Sequence, residues 1–273
     1  MPILTKKLPA FTGVEKGVTA TCKVPAGYTY HGIMLEGNIT ADKITEMRVL
    51  LNGTITVRLS GNELDLINLF DGMASSNVGG GNHFISFDRL GLRTRTGTES
   101  TAIPYGAIND PRPIANMLIE IDISSTAGDD LKMEGYALVS GPMNLGGNPA
   151  ILKQIRKFNY SPAGAGEFDI SDLPRIGLIN RIIFTQRSKI DNVVVALDST
   201  EIWNRPKGVN EFIERVYNRR NHLNDFYAID PSENGYSGDA WNVSQVNDFR
   251  IKLHMNDAAN ITVIVEYLAT LSS

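Results

Sequence analysis

Cysteine is almost missing from this sequence. Cys22 stands alone among 273 residues, so neither a disulfide framework nor a cysteine-rich zinc site is available. Inside the alternating run Val18-Thr19-Ala20-Thr21-Cys22-Lys23-Val24 it reads as a small, half-buried strand residue. Histidine is scarce too. His31, His83, His222 and His254 stand far apart, without the H-x-H or H-E-x-x-H spacing that sets two imidazoles on one metal. His31 and His254 fall in strand patterns and read as hydrogen-bonded structural residues. No G-x-S-x-G elbow is present, and the lone cysteine does not open a helix, so nucleophilic catalysis has no foothold. The glycine run Val78-Gly79-Gly80-Gly81-Asn82 leads into a strand-like segment instead of the helix N-terminus that phosphate cradles use, and reads as a flexible loop. The expectation is a protein that is not an enzyme.

Basic charge is also lacking. With 26 Lys and Arg against 30 Asp and Glu, the formal charge of −4 has the wrong sign for an electrostatic grip on phosphates, and no direct nucleic-acid binding is expected. No apolar run approaches the roughly 20 residues of a transmembrane helix. The opening Met1 to Pro9 lacks the apolar core of a signal peptide, so synthesis and folding in a cytosol are expected.

What the chain has in abundance is period two. Met47-Arg48-Val49-Leu50-Leu51, Thr54-Ile55-Thr56-Val57-Arg58-Leu59 and Leu118-Ile119-Glu120-Ile121-Asp122-Ile123 put apolar residues on alternate positions or in short buried runs, as do Val193 to Leu197, Phe249 to Met255 and Ile261 to Val265. Turn residues such as Asn52-Gly53 and Asn256-Asp257 separate them. Many short strands with turns between them mean a sandwich or barrel. Only two stretches look helical. In 208–217, Val209, Phe212, Ile213, Val216 and Tyr217 form a stripe along one face, which is expected to be buried; in 62–70, Leu66, Ile67, Leu69 and Phe70 repeat it, with Ser60 or Asn62 as the cap.

The two helices mark an internal repeat. Lys43 to Thr54 aligns with Lys189 to Thr200 at an offset of 146 (43 to 189), Ile33 and Leu35 with Ile182 and Phe184 at 149 (33 to 182), and Ile119, Ile121 and Ile123 with Ile251, Leu253 and Met255 at 132 (119 to 251). The chain thus divides into two similar β domains, expected at 1–143 and 150–273, with a Gly/Pro-rich linker at 144–149. Two long segments, Asp88 to Pro113 and Asp230 to Asn247, fall at equivalent places and are expected to form an outer surface or to grip neighbouring molecules.

One loop carries ligand chemistry. Asp230-Pro231-Ser232-Glu233-Asn234-Gly235-Tyr236-Ser237-Gly238-Asp239-Ala240-Trp241 puts oxygen-bearing residues at alternate positions, so Asp230, Ser232, Asn234 and Asp239 are candidate calcium ligands. Trp241 stands where a calcium loop has its bidentate Glu, and a polar surface turn is the competing reading. No cofactor is required; calcium is the one candidate.

The run from Lys16 to Phe70, with Val24-Pro25-Ala26-Gly27-Tyr28-Thr29-Tyr30 and Ile44 to Gly53, resembles the N-terminal jelly roll of the major capsid proteins of corticoviruses, the tailless, membrane-containing icosahedral bacteriophages. The resemblance is good over the first quarter of the chain and architectural beyond it. It implies an all-β double jelly roll, two eight-stranded jelly rolls in tandem, each with a short helix. It also implies a structural role in the virion capsid: homotrimers forming pseudo-hexagonal capsomers that tile a shell over an internal membrane. The partners so implied are neighbouring copies, vertex proteins and membrane-associated virion proteins, and the amino-terminal Ile3, Leu4, Lys6, Lys7 and Leu8 would allow contact with the internal membrane. A bicupin enzyme would need a histidine metal site that the spacings deny. A carbohydrate- or receptor-binding jelly roll stays open, with Trp203, Tyr217, Tyr227, Tyr236 and Trp241 available for a groove.

Overall fold

A computed structural model describes residues 2–73, 80–217, 220, 223 and 226–271. The chain forms two units, one of Met1–Leu90, Thr94–Ile155 and Thr270–Ser273, the other of Gly91–Arg93 and Arg156–Ala269. The strand 151–160 lies across the boundary, its first residues in the first unit and the rest in the second.

In the first unit the alternating segments become β1 (Leu4–Lys7), β2 (Thr19–Lys23), β3 (Tyr28–Gly37), β4 (Ile44–Leu51), β5 (Thr54–Leu59), β6 (His83–Ser86), β7 (Ile103–Tyr105), β8 (Met117–Ile123) and β9 (Met133–Ser140). One sheet runs β1-β9-β3-β6, with β7 also on β3; the other runs β5-β4-β8-β2. Because side chains alternate across a strand, Met117, Ile119, Ile121 and Ile123 of β8 all point inward, and Met47, Val49 and Leu51 of β4 join them in the core. β6 and β7 share one place beside β3, so the nine segments fill eight strand positions.

The second unit repeats the plan nine strands later. Its segments are β10 (Ile151–Tyr160), β11 (Gly166–Ile170), β12 (Leu178–Thr185), β13 (Ile190–Leu197), β14 (Thr200–Pro206), β15 (Phe226–Ile229), β16 (Trp241–Asn242), β17 (Phe249–Met255) and β18 (Ile261–Thr270). The sheet orders are β10-β18-β12-β15, with β16 also on β12, and β11-β17-β13-β14. Each unit is therefore an eight-stranded jelly roll of the same connectivity. The irregularities repeat as well. The β4–β5 ladder slips between Val49 and Leu50 and the β13–β14 ladder between Val195 and Ala196, an offset of 146 (49 to 195); β3 and β12 bulge at Tyr30/Gly32 and Ile179/Arg181, an offset of 149 (30 to 179).

One polar clamp recurs too. Asn52 turns the β4–β5 hairpin at φ 51°, and its Oδ1 accepts the backbone N–H groups of Ala115 (2.8 Å) and Asn116 (3.1 Å), just before β8. Asp198 turns the β13–β14 hairpin at φ 46°, and its Oδ1 accepts those of Asn247 and Asp248 (both 2.8 Å), just before β17. Asn and Asp tolerate the left-handed region and bond locally there.

The helices differ. α1 (Gly61–Phe70) is capped as expected by Ser60, with Glu63 closing a capping box, and it buries Leu64, Ile67 and Phe70. Between β6 and β7 lie α2 (Arg95–Thr98) and a 3-10 turn, so the 88–113 segment carries structure that its composition did not announce. α3 (Lys207–Tyr217) reverses the expected burial. Its buried residues are Asn210 and Glu214, whereas Val209, Phe212, Val216 and Tyr217 are exposed. The cause is a pair of bonds: Asn210 Nδ2 donates to Ala228 O in β15 and to Glu214 Oε1, both at 2.9 Å, which fixes the helix with its polar side inward.

Replacing Asn52 with Ala removes the clamp and puts at positive φ a side chain that cannot bond locally, so Asn52→Ala is expected to destabilise the protein by about 2 kcal/mol. Asn52→Asp, which copies Asp198, is expected to lose less than half of that. Chemical denaturation midpoints of the two variants check the ordering.

Candidate functional site

The structure pairs the four candidate calcium ligands, Asp230 with Ser232 and Asn234 with Asp239. Asp230 is buried, and its carboxylate accepts from Arg220 Nε (2.8 Å), from the Ser232 backbone N–H (3.0 Å) and from Ser232 Oγ (2.8 Å). Asn234 turns outward, accepting the Tyr236 N–H at Oδ1 (2.9 Å) and donating from Nδ2 to Asp239 (2.6 Å). Arg93, which belongs to the same unit, donates to the backbone oxygen of Asn234 (2.7 Å) and lies over the Tyr236 ring. Among the described residues no group of three His, Cys, Asp or Glu side chains gathers in metal-binding geometry. Burial pushes the Asp230 carboxyl up, but the charges of Arg220 and Arg181, with the hydrogen bonds of Arg220 and Ser232, outweigh it and hold the group below the usual range.

Arg181 lies beside a second buried carboxylate. Its Nη2 is 2.9 Å from Glu266 Oε1, and Asn180 Nδ2 donates to Glu266 Oε2 at 2.9 Å, all three side chains being buried. Asn180 is the residue skipped at the β12 bulge, and the corresponding bulge residue in the first unit is His31. A bulge re-aims its side chain, and in both units it delivers a polar group to the interior. His31 Nδ1 lies 3.2 Å from both oxygens of Asp88, and its Nε2 lies 2.9 Å from Ser140 Oγ. Nδ1 donates to the carboxylate, and Nε2 shares the second bond with the serine hydroxyl. Lys153 Nζ donates to the Asp88 backbone oxygen (2.9 Å). Burial raises the Asp88 carboxyl, an effect partly offset by the hydrogen bond and charge of His31 and by Lys153. The order Asp–His–Ser is that of a hydrolytic relay. Here it ties β3, β9 and the turn after β6, and Ser140 itself pairs with Thr29 in the ladder. The spacings of 57 and 109 residues hid it from sequence reading.

His83 and His254 are placed as structural residues. His83 is buried with Nε2 2.7 Å from Ile39 O, and His254 sits 3.9 Å from Glu167 on a sheet face; His222 lies outside the described residues, as do Val78 and Gly79 of the glycine run. Cys22 is buried, its Sγ donating to Pro9 O. The candidate glycan aromatics do not share a groove. Trp203 and Tyr227 are core residues, joined by a Trp203 Nε1–H bond to Tyr227 Oη (3.3 Å), and Trp241 packs edge-on against Trp203, while Tyr217 and Tyr236 are exposed.

The outer faces of the equivalent sheets are charged. On β4 and β8, Arg48 bonds Glu46 (2.6 Å), Glu120 (2.9 Å) and Asp122 (2.7 Å), and its hydrogen bonds hold Asp122 below the ordinary carboxylate range. On β11, β13 and β17, Glu167, Asn192, Lys252 and His254 line a shallow depression of about 490 Å³. No described helix is long and apolar enough to cross a membrane.

The described chain is thus two jelly rolls of identical connectivity, each held by interior polar clamps. The family models for the viral coat protein P2 N-terminal and C-terminal domains match residues 5–140 and 152–271. The chain belongs to the viral coat protein P2 family. As a P2 coat protein it is a structural component of the virion capsid. Solved structures share its fold. The major capsid protein P2 of bacteriophage PM2 superposes with a TM-score of 0.84 at 24% identity, covering 99% of this chain and 98% of that one. The STIV major capsid protein follows at 0.67 and 10% identity, covering 98% and 97%, and PBCV-1 VP54 at 0.66 and 7%, covering 98% and 93%. A search of curated proteins returned no match.

The Asp230 carboxylate is held below the pKa of about 3.9 that an unfolded Asp has, so its contribution to stability is present above that pH and fades as pH falls through the folded value. Asp230→Asn is expected to cost about 3 kcal/mol near neutrality, since it strips a buried guanidinium of its charge partner. The variant's loss relative to the parent should shrink below pH 4, as followed by urea unfolding at a series of pH values.

Proposed function

We propose that this P2 coat protein trimerises into pseudo-hexagonal capsomers that tile an icosahedral bacteriophage shell over an internal membrane. The observation that carries the reading is the repetition of one jelly roll down to its bulges and hairpin clamps. Two equivalent units in one chain give a ring of three chains six similar edges, which one gene product needs to fill a hexagonal lattice. Closed rings of this kind use heterologous contacts between different surfaces of successive chains. The near-neutral charge of −4 suits a shell wall without a basic arm for nucleic acid. Vertex and membrane-associated virion proteins are the further partners of this reading. Ile3 and Leu4, 42% and 52% exposed, are the residues offered to the internal membrane.

Light scattering on the size-exclusion peak tests the proposal: the expected mass is three times the 29.9 kDa of the chain, and a monomer at all concentrations overturns it. No metal is needed for the 230–241 loop, whose ligand oxygens are engaged with Arg220, Ser232, Tyr236 and Asn234. Calorimetric titration with calcium is accordingly expected to give no binding heat, and a saturable isotherm would restore the calcium reading.

A further inference from the structure

α3 wears its apolar stripe on the outside. Val209 is 48% exposed, Phe212 66%, Val216 60% and Tyr217 43%, whereas the corresponding helix α1 buries Leu64, Ile67 and Phe70 in its own unit. A helix stabilised only by its own jelly roll would turn that stripe inward, since burying each large side chain is worth up to about 1.5–3 kcal/mol. In α3 the inward side is instead occupied by Asn210 and Glu214, and the bonds from Asn210 to Ala228 O and to Glu214 hold the helix in that rotation. The outward stripe is thus fixed by the fold.

Its size and its charge say what fits it. Phe and Tyr side chains each offer about 150–250 Å², so at these exposures the four residues present on the order of 400 Å² of apolar surface. That is about half of the ~800 Å² that each partner contributes to a standard protein interface, the proportion expected of its dry centre inside a polar rim. The rim is internally neutralised: Glu211 is bonded by Arg187 (3.1 Å) and by Arg215 (2.6 Å). Lys207, Glu211, Glu214 and Arg215 leave the helix with no net charge. Interfacial helices that lie on anionic lipid carry a basic excess flanking the apolar face, and this one does not. The partner is therefore a protein surface. For a coat protein the surface met repeatedly, at high local concentration and in one orientation, is its own.

We propose that the outward face of α3, centred on Phe212 and Val216, docks on a second copy of this chain. The inference rests on the self-assembly reading above and adds to it the surface that mediates one of its contacts.

The experiment compares the full-length protein with the double variant Phe212→Glu/Val216→Glu and with a control, Asn62→Glu, at an exposed site on α1. All are measured by light scattering, by electron microscopic particle counts and by thermal unfolding. The double variant is expected to melt like the parent and to associate at least tenfold more weakly, as trimer or as shell, while the control assembles normally. Unchanged association of the double variant overturns the proposal. So does a variant that assembles normally but no longer binds vesicles of anionic phospholipid, an outcome that would assign the face to lipid. A parent protein that neither trimerises nor forms particles overturns the assembly reading itself. Should the double variant fold poorly, Phe212→Cys supplies a second readout: its thiol is expected to react with a water-soluble maleimide at least tenfold more slowly in assembled than in dissociated protein. Equal rates overturn the proposal.

Discussion

Register is the constraint on which the rest of this structure depends. Side chains alternate across a strand, so a slip of one residue would exchange the buried and exposed faces of an entire element. Asn52 and Asp198 are placed where such a slip would begin. Each turns a hairpin and, with a single side-chain oxygen, holds the two N–H groups that precede the next strand of the same sheet. The backbone adds to the hold, with Asn52 N–H donating to Asn116 O and Asp198 N–H to Asp248 O, both at 2.9 Å. Three strands are thereby set against one another in each unit, and the inward runs of β4, β8, β13 and β17 meet the opposite sheet. The bulges at His31 and Asn180 are a second register device, since they let β3 and β12 carry one polar residue inward without turning the whole strand over.

The polar interiors that these bulges feed have diverged while the frame has not. The first unit encloses a histidine, a carboxylate whose burial raises its pKa, and a serine; the second encloses two carboxylates answered by Arg181 and Arg220. Buried charge of this kind stabilises little net of its desolvation and is costly to break from one side. The two jelly rolls therefore share a geometry and differ inside: burial raises the Asp88 carboxyl in the first, whereas in the second the burial of Asp230 is outweighed by Arg220 and Arg181, which hold it low.

Much of the frame was legible in the sequence because register leaves a periodic trace. The offsets 146, 149 and 132 align the β4–β5 and β13–β14 slips, the β3 and β12 bulges, and β8 with β17. Periodicity identifies which residues share a face, but not which way the face turns. For α3 that was decided by Asn210 reaching Ala228, a contact invisible in the stripe itself. The candidate calcium loop misled for a related reason. Spacing revealed its oxygens but not the arrival of Arg220 and Arg93, which come from other parts of the chain. Short elements such as α2, with Gly97 in its only turn, and β7, with Pro104 at its centre, lack the length from which a period is read.

The contrast between α1 and α3 bears on symmetry. In backbone plan the two jelly rolls are interchangeable. In surface chemistry they are not, because one helix hides its apolar side and the other shows it. Exchanging one unit for the other would match their strands but set the exposed apolar side of α3 where α1 shows none. A neighbour that reads backbone shape alone would accept either unit, whereas one that reads surface chemistry would tell them apart by this single helix.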